Sequence, residues 1–421
     1  MRRFAVAMLL CAASVSAQPL LPIPGGSLVF TESNPPAVNL FDPLTLSVTP
    51  LTTPTSAASL VVPSGICVST NRDIIFGDFT GVSIYRIDAL GTMTTLSTGL
   101  LNNVVRLIED YNGDIIYTGN ALIYAPSSVM RLDTLGLVTT VAVLVGNPFA
   151  IVLEPTGNFP TGDYVITLPL QGELQRVDPA GGITTLATGM SFPTGVAHFP
   201  NGDYAVAAAG TDDLLRVPAG GGTPTVWVPG SSFGNIKDVV ADGQGGFYVS
   251  EAGGLTGNRL QHVDAGGNVS LLAGNGAFSG LYLQCANVAG TVIAPAVAGT
   301  GLNGLWGLTL DFPGNPGGQY QTFMSGTVYP GISFGADPRG TPLNFNDPLF
   351  QQSFGVGFPG ITAGWIGGLS GSGSGAVTMN LTPFPSNSFA GIRLHFQVAI
   401  LDPMAQSSLA RISNLCTLVF Q

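Results

Sequence analysis

The chain has almost no basic residues. A single lysine, Lys237, stands among 421 residues, and Lys plus Arg total 13 against 24 Asp plus Glu. The net charge of −11 excludes nucleic acid as a natural partner, because phosphates demand clustered Lys and Arg. Long apolar runs are missing too. The longest, Phe4 to Ala13, is too short to span a bilayer as a mature helix, and every later run is broken by glycine or polar residues, so the mature chain has no transmembrane segment. Cysteine is scarce. Cys11 lies in the leader described below, and Cys67, Cys285 and Cys416 remain, an odd number that allows at most one intramolecular disulfide. Three unpaired, buried thiols are the alternative. No Gly-x-Ser-x-Gly elbow, His-Glu-x-x-His helix, phosphate loop or Cys-x-x-Cys pair occurs, which removes the commonest signatures of catalysis.

The N-terminus has the three parts of a secretory leader. Arg2 and Arg3 supply the basic region, Phe4 to Ala13 the apolar one, and Val15-Ser16-Ala17 a small-residue cleavage site. Residues 1–17 are therefore read as a signal peptide, and the mature chain as secreted, extracellular or at a bacterial cell surface, with the periplasm as the other compartment. Leu10 before Cys11 argues against a lipoprotein anchor. Cleavage leaves 11 basic against 24 acidic residues, or −13.

Charged residues make up 9% of the chain and hydrophobic ones 45%, a balance that buries a core and excludes disorder. The 58 glycines and 31 prolines mark many short strands joined by tight turns. A unit recurs at steps of 45, 45, 40 and 46 residues, set by a basic residue, an apolar residue, Asp and a turn closed by Gly. It reads Arg86-Ile87-Asp88 with Gly91, Arg131-Leu132-Asp133 with Gly136, Arg176-Val177-Asp178 with Gly181, and His262-Val263-Asp264 with Gly267. Arg216-Val217-Pro218 with Gly221 is a variant. Each unit holds four apolar runs of four to six residues with strand alternation, as in Tyr248 and Ser250 against Phe247 and Val249. Four short strands per unit of about 40–45 residues make a propeller blade, which buries its faces only by stacking on others.

Five full copies begin near Gly65, Val105, Ala150, Gly195 and Asp238. A sixth is incomplete: Leu28 to Glu32, Val38 to Asp42 and Leu46 to Leu51 read as second, third and fourth strands. Its innermost strand is expected from 280–298, closing the ring and removing exposed edges. The expectation is an all-β chain with a six-bladed β-propeller over residues 18–299, seven blades being the fallback. From about Thr300 the period is lost, and residues 300–421 read as a small C-terminal β-sandwich with Gly367 to Gly375 as a loop. Ile392, Leu394, Phe396, Val398 and Ile400 would form its buried face, and Arg393, His395, Gln397 and Ala399 a wetter one.

The Asn201-Gly202-Asp203-Tyr204 turn and strand, the Arg-x-Asp-x-x-Gly turn, and Val269 to Gly274 resemble the NHL repeat family. They are more loosely similar to gluconolactonase and streptogramin-lyase propellers. The resemblance covers residues 27–298 and implies the fold; the C-terminal part resembles the β-sandwich modules of large secreted bacterial proteins. Gluconolactonase-like propellers gather carboxylate and Asn residues on a divalent cation where loops enter the inner strands. Here those entries are Pro63-Ser64-Gly65, Pro148-Phe149-Ala150, Pro193-Thr194-Gly195 and Asn235-Ile236-Lys237, which departs from that pattern. Streptogramin lyases imply a histidine base. His198 alone lies on an inner strand and is the weak catalytic candidate, its other reading being a hydrogen-bonded channel histidine.

Glu32, Asp78 and Glu251 each end a second strand, on three consecutive blades. Together they are candidates for a shared cation or a polyol site, or each caps its own turn. Glu109, Asp110, Glu154 and Asp242 lie at inner-strand ends, with Glu109 a further candidate metal ligand. No cofactor is expected, a divalent cation being the alternative. The combined reading is a non-catalytic propeller that binds an extracellular protein, glycan or small ligand through its channel-mouth loops. The alternative is a metal-dependent lyase or lactone hydrolase working at the channel.

Overall fold

The computed structural model describes residues 27–43, 45–52, 60–69, 73–88, 91–100, 102–110, 113–120, 127–154, 163–242, 245–252, 258–274, 282–285 and 291–295. It further describes 305–311, 316–325, 328–334, 337–343, 347–353, 357, 362–380, 393–401, 409–412 and 416–419. The signal-peptide expectation lies outside the described residues.

Six four-stranded antiparallel sheets form the blades. Blade one is β4 (Pro63–Val68), β5 (Ile74–Asp78), β6 (Ser83–Ile87) and β7 (Met93–Ser97); blade two is β8 (Asn103–Glu109), β9 (Ile115–Asn120), β10 (Ser128–Leu132) and β11 (Val138–Val143). Blade three holds β12 (Ile151–Glu154), β13 (Asp163–Leu168), β14 (Glu173–Val177) and β15 (Ile183–Ala187). Blade four holds β16 (Pro193–His198), β17 (Tyr204–Ala208), β18 (Asp213–Val217) and β19 (Thr225–Val228). Blade five comprises β20 (Ile236–Ala241), β21 (Phe247–Glu251), β22 (Arg259–Val263) and β23 (Val269–Gly274). The closing blade takes β1 (Leu28–Ser33), β2 (Pro36–Asp42) and β3 (Ser47–Pro50) from the start of the chain. Its inner strand, β24 (Tyr282–Cys285), follows blade five, with Leu28 opposite Cys285 and Thr31 opposite Tyr282. The expected closure and the count of six are both observed.

Stacking of blades supplies the core. Six apolar clusters each join two neighbouring blades, and the last, with Leu28, Phe30 and Phe41 against Val240 and Leu260, fastens the closing blade to blade five. Hydroxyls near the ends of second strands reach the next blade's entry backbone. Thr31 Oγ1 donates to the Ser64 carbonyl at 2.9 Å, Thr118 to Phe149 at 3.3 Å and Thr167 to Thr194 at 3.2 Å. Blade one has Gly77 at this position, and there Ser64 Oγ donates to the Val104 carbonyl at 2.7 Å. Gly65 lies so close to blade two that a Cβ on it would stand 2.3 Å from Arg106 Cα.

The outer strands carry no charged residue to discourage edge pairing. Instead, the register of each full blade's outer pair shifts once, at Ile84/Tyr85, Val129/Met130, Leu174/Gln175, Leu214/Leu215 and Leu260/Gln261. Such bulges twist an edge away from further pairing.

Beyond the propeller, β25 (Thr291–Pro295), β26 (Leu305–Asp311), β32 (Ser374–Asn380) and β30 (Thr362–Ala363) form one sheet. A second contains β31 (Ile366–Gly368), β27 (Gln319–Ser325), β33 (Arg393–Leu401), β34 (Leu409–Ile412) and β35 (Cys416–Val419). A hairpin of β28 (Val328–Phe334) and β29 (Asp337–Leu343) and the helix α1 (Pro348–Ser353) complete the described elements. Tyr320 Oη ties the two sheets, contacting the carbonyls of Gly364 at 2.9 Å and Ala376 at 3.3 Å. Two expectations are corrected here. Ile366–Gly368, overlapping the expected loop, pairs with Gln319–Gln321 as a strand. The expected wetter face of β33 is also covered: Gln397 and Ala399 are buried, the latter packing with Phe323, Leu343 and Phe350 supplied by β27, the hairpin and the helix.

Candidate functional site

Strand direction divides the candidate residues between the two ends of the propeller. Second strands run back along first strands, so that Asp78 pairs with Pro63 and Glu251 with Ile236 at the end where inner strands begin. His198 pairs with Tyr204 and Glu109 with Ile115 at the opposite end. With about 3.3 Å of rise per residue, a strand of five or six residues separates these ends by roughly 17 Å.

At the entry end each carboxylate serves its own locality. Asp78 is fully buried and accepts N–H groups of Val61 (2.8 Å), Val62 (3.0 Å) and Gly81 (2.9 Å), the duty of a turn cap. Glu251, also fully buried, accepts Gly234 N–H at 2.9 Å, pairs with Arg259 at 2.6 Å and accepts the Gln261 amide. Glu32 accepts Asn39 Nδ2 at 2.7 Å. The hydrogen bonds of these three carboxylates lie in separate blades. Among the described residues, no group of three His, Cys, Asp or Glu side chains is arranged to hold a metal ion.

The opposite end explains the repeat's basic residue. On each full blade it pairs with a carboxylate at the turn between first and second strands: Arg86 with Asp73 (3.7 Å), Arg131 with Asp114 (3.7 Å), Arg176 with Glu154 (2.5 Å), Arg216 with Asp203 (2.6 Å) and His262 with Asp242 (2.7 Å). Two of these units reach the following blade through tyrosine. Tyr164 Oη donates to Asp110 at 2.7 Å and Tyr204 Oη to Glu154. Burial, then the adjacent carboxylate, pushes both phenols up, so they remain neutral donors.

His198 lies in the seam between blades three and four, its ring 5.1 Å from that of Tyr204. Both ring nitrogens are buried and form no hydrogen bond of good geometry among the described residues, although the backbone of Leu153 acts on the ring. Burial pushes its pKa down, opposed by the charge of Glu154 and the backbone of Leu153. Glu109 lies near the buried thiol of Cys67, whose pKa is raised first by burial and then by the Glu109 charge. Cys67 is free; the side chains of Cys285, Cys416 and His395 lie outside the described residues.

One residue pair that spans the channel was not a sequence candidate. Arg106 on the inner strand of blade two reaches Asp238 on the inner strand of blade five, Nη1 to Oδ2, at 2.5 Å. These blades stand opposite one another in the ring of six, so the ion pair spans the central axis, with side chains 5% and 4% exposed. The available signal was Arg106 within Val104-Val-Arg-Leu-Ile108 and Asp238, beside Lys237, within Ile236-Lys-Asp-Val-Val240, three units apart.

These features define a six-bladed β-propeller built from NHL-like repeats. Neither a protein-family model nor a curated protein sequence matches the chain. Among solved structures, a chain of a nidogen/laminin complex is similar at 14% identity, covering 61% of this chain and 97% of that one with a TM-score of 0.50. A streptogramin B lyase is similar at 15% identity over 61% of this chain and 84% of its own, TM-score 0.46. A gluconolactonase from Xanthomonas campestris shares 14% identity over 62% and 89%, TM-score 0.44. At such identities the likeness is one of fold. No helix among the described residues is long and apolar enough to cross a membrane.

Proposed function

We propose that the protein is an exported, non-catalytic propeller that binds an extracellular protein, glycan or small ligand through the loops at one mouth of its channel. The observation that carries this reading is the Arg106–Asp238 pair, which joins opposite inner strands across the axis and keeps both charged side chains buried and engaged with each other. The candidate carboxylates at the entry end support it, because each is hydrogen-bonded within its own turn or blade. A metal-dependent lyase or lactone hydrolase that used His198 with Glu32, Asp78 or Glu251 would have to join groups at opposite ends of the strands; Glu109, the remaining candidate ligand, lies at the His198 end, on blade two. The test is turnover of lactones and macrocyclic esters by the purified mature protein, with and without divalent cations. No product is expected; product that disappears on chelation would replace this reading with the hydrolase or lyase one.

A further inference from the structure

The entry end carries one unusual cation. Lys237, the only lysine of the chain, is the extra residue of a bulge: pairing steps from Ile236–Glu251 to Asp238–Ser250 and leaves it outside the ladder. Bulges re-aim side chains, and this one stands where the inner strand of blade five enters the channel. The lysine is partly buried, and among the described residues its ammonium makes no hydrogen bond or ion pair. Asp212 is the acid that acts on it, but Asp212 Oδ1 already accepts the Ile236 N–H at 3.0 Å. Burial lowers the pKa of Lys237, with Asp212 opposing, as expected of a cation lacking a close counter-ion.

A series of touching entry-end loops leads away from this cation and carries three exposed apolar side chains. Val145, Leu170 and Phe192 are 87%, 71% and 44% exposed, on three successive entry-end loops. Gly146 abuts the Gln171 side chain, and Met190 N–H donates to the Gly172 carbonyl at 3.1 Å, so the three loops touch in series. Ala209 N–H then donates to the Phe192 carbonyl at 3.0 Å, and the same turn ends in Asp212 beside Ile236 and Lys237. The stretches Val143 to Ala150, Leu168 to Gly172 and Thr188 to Pro193 contain no charged residue. Phe192 adopts a φ of +52°, a conformation costly for a bulky residue and concentrated at functional positions.

We propose that this face binds an organic carboxylate with an apolar body, the hydrocarbon or aromatic part lying along Val145, Leu170 and Phe192 and the carboxylate pairing with Lys237. The inference rests on the ligand-binding reading above and names its ligand class. An acidic protein repels anions at long range, so recognition depends on the short-range, charge-assisted contact at Lys237.

The probes are decanoate, 1-decanol and decyltrimethylammonium, titrated calorimetrically into the full mature chain. In parallel, acylation of the one lysine is followed by mass spectrometry. Decanoate is expected to bind more tightly than the other two and to slow acylation of Lys237. Lys237→Gln should weaken decanoate about tenfold or more while leaving decanol unchanged, and Lys237→Arg should retain most of the affinity. Leu170→Ser should weaken both probes. Equal binding of decanoate and decyltrimethylammonium, unaltered decanoate binding by a folded Lys237→Gln, or no decanoate binding at all would overturn the inference. If decanoate fails and no lactone is turned over, this inference alone falls; lactone turnover removes the reading on which it rests.

Discussion

Removing one member of the cross-channel pair should be among the costliest single substitutions in the propeller. In Arg106→Met, Asp238 would keep a buried carboxylate without its guanidinium partner, Val239 N–H still donating to it at 2.9 Å. In Asp238→Leu, a guanidinium 5% exposed would lose its carboxylate. Breaking a buried pair from one side costs about 3–5 kcal/mol, because the surviving charge stays desolvated. At about 2–4 °C per kcal/mol for a domain near this size, each variant should unfold roughly 6–20 °C lower. Replacing both residues at once leaves no orphan charge, so Arg106→Met with Asp238→Leu should regain most of the loss. Denaturant melts of the wild type, both single variants and the double variant form the required cycle. Single costs below about 1 kcal/mol, or additive ones, would show that the residues do not meet across the axis.

Other parts of the molecule give sharper, smaller tests. Gly65→Ala would force a Cβ to 2.3 Å from Arg106 Cα and should cost about 3 kcal/mol, whereas Gly99→Ala, with φ +65° and open space around it, should cost about 1 kcal/mol; calorimetric melts compare the two. Tyr204→Phe removes the hydroxyl that Glu154 accepts between blades three and four and should cost about 1–3 kcal/mol in denaturant melts. His198 sets a pH test with a definite sign. Its folded pKa lies below the ordinary 6.5, so the unfolded chain takes up that proton first. The stability from keeping the ring neutral is complete above pH 6.5 and is lost as pH falls toward the folded value. Denaturation midpoints at pH 7.5 and pH 5 should therefore fall more for the wild type than for His198→Leu, and equal falls would contradict the buried seam position.

Architecture was legible because it repeats. A basic residue recurring at 40–46 residue steps marked the five full blades, and the missing strand of the closing blade had one place to come from. Its physical meaning was not legible: that Arg176 and its counterparts clamp the first turn of their own blades depends on which strand faces bend toward each other. Candidate sites were harder still. Glu32, Asp78 and Glu251 look alike in sequence, and their separate turn partners emerge only from the loops that fold over them. Arg106 and Asp238 are 132 residues apart, and their meeting follows from ring closure, which no local pattern encodes. In β33 the alternation misled for a similar reason, since the far face of a strand is wet only if nothing else packs on it.

The most direct test of the account is thermal unfolding of the mature protein after chelation, with Ca²⁺, Mg²⁺, Mn²⁺ or Zn²⁺ returned one at a time. A cation bound by the native state alone would add about 2.7 kcal/mol at a hundredfold excess over Kd, easily seen as a rise in Tm. With the entry-end carboxylates held by their own turns and blades and Arg106 paired with Asp238 across the axis, the account predicts an unchanged Tm with every cation. A rise that vanishes in Glu32→Ala or Glu251→Ala would contradict it and put a metal site, with the chemistry it permits, at the mouth of the channel.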